Sequence, residues 1–94
     1  MKKYIVVRVV DPDTIEVSPS LEIDNEQHSI IGFRNYYGPD ITDPHYFEAR
    51  NKLVRVVEHK PIYLKNPEIV SHYRVNCDIY MGDKDIAREL VTVK

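Results

Sequence analysis

Arg34, Arg74, Tyr36, Tyr37, Tyr73 and Tyr80 are the residues of this 94-residue chain whose types suit recognition chemistry. Phenol rings beside guanidinium groups can stack on nucleic-acid bases while the cations meet phosphates. That use requires the rings to project together beside Arg34 and Arg74; the alternative places Tyr73 in the core and leaves the others as amphipathic surface residues. Lys52 and Lys65 could add charge to such a face. Overall, 13 Lys and Arg stand against 15 Asp and Glu, for a net charge of −2. Neutralisation of phosphates supplies most non-specific nucleic-acid affinity, so the balance excludes a strong general binder and leaves room for a local basic patch. His28, His45, His59 and His72 lack metal-ligand spacing and read as solvated or locally bonded side chains. No Ser-His-Asp set, glycine-rich phosphate loop or CxxC pair is present. The single cysteine, Cys77, rules out an internal disulfide and reads as a buried apolar residue in a reducing compartment.

The elements that must carry these residues follow from periodicity. Lys3–Val10 is β-branched and predicts a first strand. Asp11-Pro12-Asp13 has turn composition, and Thr14–Val17 alternates as a second strand of a hairpin. Ser18-Pro19-Ser20 interrupts that strand, since proline cannot donate to a ladder, and Leu21–Glu26 reads as a loop or a frayed end. Gln27–Phe33 is a third strand, with Gly32 marking a bend. Arg34–Thr42 is an irregular loop that displays Tyr36 and Tyr37 beside Gly38-Pro39. Asp43-Pro44 reads as a helix N-cap followed by proline at the first helical position. The helix buries an arc of Tyr46, Phe47, Ala49, Leu53, Val54, Val56 and Val57, and Arg50 inside that arc requires an edge position or a specific buried partner. Pro61–Leu64 is a fourth strand, Asn66–Val70 a turn, and His72–Met81 a fifth strand with Tyr73, Val75, Cys77, Ile79 and Met81 on one face. Asp83 can cap a short last helix whose inward side is Ile86, Ala87, Leu90 and Val91.

Residues 1–94 make one small domain with no internal repeat and no apolar run of the length a membrane span needs. Arg8 interrupts the apolar start and no small-residue cleavage site follows, so the beginning of the chain reads as a strand of a cytoplasmic protein and not as a signal peptide.

Val9-Val10-Asp11-Pro12-Asp13-Thr14-Ile15 resembles the Val-x-Asp-Gly-Asp-Thr pattern of staphylococcal-nuclease-like domains, with proline in place of the glycine. Tyr46-Phe47-Glu48-Ala49-Arg50-Asn51-Lys52-Leu53 and Lys60-Pro61-Ile62-Tyr63-Leu64 are similar to that family's helix and fourth strand. Tyr73-Arg74, Ile79-Tyr80 and Asp85-Ile86-Ala87-Arg88-Glu89-Leu90-Val91 resemble its last strand and final helix. Pattern and resemblance agree on an α+β, mainly β fold: a five-stranded Greek-key OB-fold barrel, with one helix between the third and fourth strands and a short C-terminal helix.

The resemblance implies metal-assisted phosphodiester hydrolysis, in which acids hold Ca²⁺, a Glu sits near the attacking water and two Arg meet the phosphate. Asp13 matches the first metal ligand and Arg74 the second phosphate-binding Arg. Ser29 stands where the family has its first Arg, Arg34 where it has the second acid, and Tyr36-Tyr37 where it has Pro-Glu. A guanidinium cannot coordinate a cation, so Arg34 is expected to pair with Asp13 in place of the ion. A surface Arg at a strand end is the plainer alternative, and Asp40 or Asp43 could restore an acid from the loop. Proline in the turn also fixes φ, so Asp13 need not point as its family counterpart does. The expected protein is a catalytically inactive binding module without a cofactor, carrying Arg34, Tyr36, Tyr37 and Arg74 toward single-stranded nucleic acid. The alternatives are a protein-interaction module, favoured by an apolar patch without a basic stripe, and a Ca²⁺-dependent nuclease with relocated carboxylates.

Overall fold

A computed structural model describes residues 2–91; Met1 and positions 92–94 of the expected domain lie outside the described residues. The described residues form β1 (Tyr4–Asp11), β2 (Thr14–Ile23), β3 (Glu26–Phe33), α1 (Tyr46–Val57), β4 (Pro61–Ser71), β5 (Arg74–Met81), β6 (Lys84–Asp85) and α2 (Ile86–Val91). Antiparallel ladders join β3 to β2, β2 to β1, β1 to β4 and β4 to β5, and a parallel β3–β5 pairing at Ile31–Val75, Gly32–Asn76 and Phe33–Cys77 closes the ring. This is the five-stranded OB barrel, to which the two-residue β6 is added at the end of β5. Alternation along the strands turns Ile15, Val17, Ile31, Phe33, Val75, Cys77 and Ile79 inward, a register shift between Val6 and Arg8 lets both Val6 and Val9 of β1 face in, and Leu53 and Val57 of α1 with Ile86 of α2 complete one core.

Several boundaries differ from the periodicity reading, each for a local reason. Leu21–Glu26, expected as a loop or a frayed strand end, is paired strand on either side of a tight turn. β2 continues to Ile23 and turns through Asp24 and Asn25, both at positive φ (52° and 68°), the conformation that matches the twist of a two-residue hairpin. Pro19 is tolerated because it follows the last β1–β2 pair, Ile5–Ser18, and falls in the irregular stretch between Glu16–Ile30 and Leu21–His28. Asn66–Val70 is likewise strand: Lys65 pairs with Asp78 and Glu68 with Asn76, so one extra residue bulges where Asn66 takes φ 53°. The reversal comes later, at His72-Tyr73, and leaves Tyr73 84% exposed instead of on the core face.

Asp43 does not cap α1. Its carboxylate accepts the His45 N–H at 2.8 Å in a turn before the helix, which starts at Tyr46. Phe47, placed in the buried arc by periodicity, is 66% exposed. Arg50 has the specific partner the pattern demanded, donating to the Val9 carbonyl at 2.8 Å. At the second helix Asp85, not Asp83, accepts the Ala87 N–H at 3.1 Å, and Val91 faces outward. His28 is buried in β3 beside Leu21, with Glu26 at 4.0 Å and no hydrogen bond at Nε2, so it is neither solvated nor locally bonded through that nitrogen.

Candidate functional site

The β1–β2 turn presents Asp13 at the mouth of the barrel, and every part of that carboxylate has a neighbour. Oδ1 accepts the Thr14 hydroxyl at 3.1 Å, Oδ2 accepts the Gly38 N–H at 3.2 Å, and Arg74 Nη2 lies 3.9 Å from Oδ1. Arg74 reaches this place by lying across β3. Its Nε donates to Asn76 Oδ1 at 2.9 Å, and a Cβ on Gly32 would stand 2.2 Å from its Nη2. Gly32 is therefore an opening for a side chain and not a bend. Gly38 is similarly constrained: a Cβ there would come 2.6 Å from Cβ of the buried Pro12.

Arg34 does not pair with Asp13. It leaves β3 with its N–H bonded to the Cys77 carbonyl at 3.1 Å, which sends its guanidinium along β5 to Asp78, 3.1 Å away. Asp78 also accepts Asn66 at 2.8 Å and Asn35 at 3.5 Å, tying the bulge of β4 and the exit of β3 to β5. Asp78 was not among the sequence candidates. Its signal was its outward position between Cys77 and Ile79 on an alternating strand, which alone does not distinguish a knot from a solvated acid.

A cleft of about 340 Å³ opens beside Asp13, lined by Asp11, Gly38, Pro39, Asp40, Ile41 and Tyr46. Tyr46 donates its phenol proton to Asp11, and that hydrogen bond, then burial, pushes the phenol above its ordinary value. Asp40 accepts the Thr42 hydroxyl at 2.6 Å and its N–H at 2.9 Å, which holds its carboxyl below the ordinary range. Ile41, 72% exposed, and Phe47, edge-on to Tyr46 at 5.2 Å, extend the apolar part of the rim.

The four tyrosines have different neighbours. Tyr36 packs edge-on against Phe33 at 5.5 Å, and burial with the nearby Asp13 charge raises its phenol. Tyr37 is 81% exposed on the loop, Tyr73 stands beside His72 in the β4–β5 turn, and Tyr80 lies under Lys65 at 4.7 Å. Among the described residues no two of these four rings pack together. Ser29 is half-buried on β3, and Lys52 donates to the Leu90 carbonyl at 3.0 Å, away from Arg34 and Arg74. Cys77 is fully buried, and burial first, then Asp78, pushes its thiol up to about 12.

A Ca²⁺ ion does not fit these donors. Asp13 has both oxygens engaged by protein donors and a guanidinium against it, and Arg34 lies against Asp78. Among the described residues no three His, Cys, Asp or Glu side chains gather as a metal site. Asp40 and Asp43 are both occupied in loop turns.

No protein-family model matches the chain, and no curated protein matches it.

Proposed function

We propose that this chain is a catalytically inactive, nuclease-like OB barrel that works as a protein-interaction module. The observation that carries the reading is the contrast at the barrel mouth: Arg34 and Arg74 both face carboxylates, while Ile41 and Phe47 stand exposed beside the cleft. Paired guanidinium groups have little charge left for phosphates, whereas exposed apolar side chains rimmed by polar ones suit a protein surface. Retention of Asp13 and Arg74 in contact supports descent from the nuclease-like pattern; Arg34 and Tyr37, where that pattern has acids, support the loss of chemistry.

Single-stranded nucleic acid is the second reading, favoured by the exposure of Tyr37 and Tyr73, the latter adjacent to Arg74. Fluorescence anisotropy of a labelled single-stranded oligonucleotide, titrated with protein in Ca²⁺ and in EDTA, separates the cases. The interaction-module reading expects a flat trace in both buffers. A salt-sensitive rise in both would transfer the proposal to nucleic acid, and a fall confined to Ca²⁺ would mean cleavage and defeat the reading of an inactive site.

A further inference from the structure

At the other end of α1 lies a second groove, of about 290 Å³, between that helix, α2 and the turn joining β5 to β6. Its apolar walls are Val56, Met81 and Ile86, and its rim carries Lys52, Lys60 and Lys84 against the one acid Glu89. Lys84 is open: it lies 3.9 Å from Glu89 and its side chain is 71% exposed. Lys52 and Lys60 each touch a main-chain carbonyl, of Leu90 at 3.0 Å and of Arg55 at 3.4 Å, so both ammonium groups keep further donors for an incoming acceptor. In a chain of net charge −2 this is a local concentration of positive charge around an apolar floor. Its volume suits one or two protein side chains better than a drug-sized ligand.

The chemistry that fits is an apolar side chain flanked by carboxylates, and the barrel itself displays one. Asp40-Ile41-Thr42-Asp43 presents Ile41 at 72% exposure between two acids, and both acids are held by hydrogen bonds from Thr42 and His45. That segment precedes α1, whereas Lys52, Val56 and Lys60 belong to its second half and just beyond. At about 1.5 Å per helical residue the two surfaces are separated by roughly 15 Å along α1, so the loop does not fill its own molecule's groove.

We infer that the barrel self-associates head to tail, Ile41 of one copy entering the lysine-rimmed groove of the next with Asp40 and Asp43 against Lys52, Lys60 and Lys84. The inference rests on the protein-interaction reading and names its partner as a second copy of this chain. Two different surfaces meet, so the contact is heterologous and leaves a free loop at one end and a free groove at the other. Charge supplies much of the attraction, and salt weakens it.

Sedimentation velocity of the chain over rising concentration, at low and high salt, tests this. At low salt the weight-average mass rises from 11.0 kDa toward twice that value and beyond, and it returns toward the monomer at high salt. Ile41→Asp removes the donor and Lys84→Glu the acceptor; both positions are exposed, and unchanged circular dichroism verifies the fold. Each variant alone remains monomeric, while an equimolar mixture forms a dimer that grows no further, because one variant keeps its groove and the other its loop. A wild-type chain that stays monomeric at every concentration, or variants that associate as before, would overturn the inference. A monomer that also leaves the oligonucleotide trace flat sinks the self-association alone. A monomer that raises that trace sinks the protein-interaction reading with it.

Discussion

Asp13 and Asp78 each face an arginine, but they are built to different ends. Asp78 is 13% exposed in its side chain and gathers Arg34, Asn66 and Asn35 from two other segments. Asp13 is 19% exposed, holds Gly38 and Thr14, and meets Arg74 at 3.9 Å through its carboxylate and at 3.4 Å through its main-chain carbonyl, beside an open cleft. The first is a knot whose donors and acceptor satisfy one another. The second fixes a loop and leaves a surface. A partly buried acid that collects several donors stabilises, whereas a longer ion pair at the edge of a cleft contributes little.

Asp78→Ala should give the largest effect of removing either acid, about 2 kcal/mol, because Arg34 and Asn66 lose their acceptor together. Urea unfolding measures it, and a loss no larger than that of Asp13→Ala would erase the distinction drawn between the two acids. Gly38→Ala comes next, at about 1.5 kcal/mol, since the new methyl meets the Pro12 ring, which cannot rotate away. Gly32→Ala should cost about 1 kcal/mol by expelling the flexible Arg74 side chain and turning aside the Asn76 amide, whose Oδ1 would lie 2.4 Å from the new methyl. In an Arg74→Met background the same substitution should cost measurably less, and full additivity of the two changes would show that Gly32 does not serve Arg74.

The smallest effect at neutral pH belongs to Cys77. Burial raises its thiol from 9.0 to about 12, so the neutral thiol is the folded form and its contribution is complete below pH 9. As pH climbs from 9 toward 12 the unfolded thiol ionises while the folded one does not, and stability falls. Two readouts follow: unfolding midpoints that decline over that window less steeply in Cys77→Ser, and a thiol that ignores aromatic disulfide reagents at pH 8 until the chain is unfolded.

Much of the barrel was legible in the chain because strands have period two and small helices have period near 3.6. Ile15, Val17, Ile31, Phe33, Val75 and Ile79 declare an inward face, and Arg50 in an apolar arc calls for an edge position or a buried partner, of which the structure supplies the Val9 carbonyl. Chain ends and turns are less legible. Asp24-Asn25 and Asn66-Pro67 are polar, so composition suggested loops, but positive φ at Asp24, Asn25 and Asn66 lets a tight turn and a bulge keep the strands paired. Periodicity also put Phe47 and Tyr73 inside, whereas each stands where its element is only beginning, and no second layer covers it.

What the sequence by itself determined is the inventory: one core's worth of alternating apolar residues, a nearly balanced charge and Asp13 in a turn. Which charges meet was decided only by the closed ring. Parallel pairing of β3 with β5 sets Gly32 beside Asn76 and Phe33 beside Cys77, so Arg74 crosses an open lane to Asp13 and Arg34 emerges next to Asp78. Residues 44 apart in sequence become ion-pair partners through strand register, which no local pattern encodes.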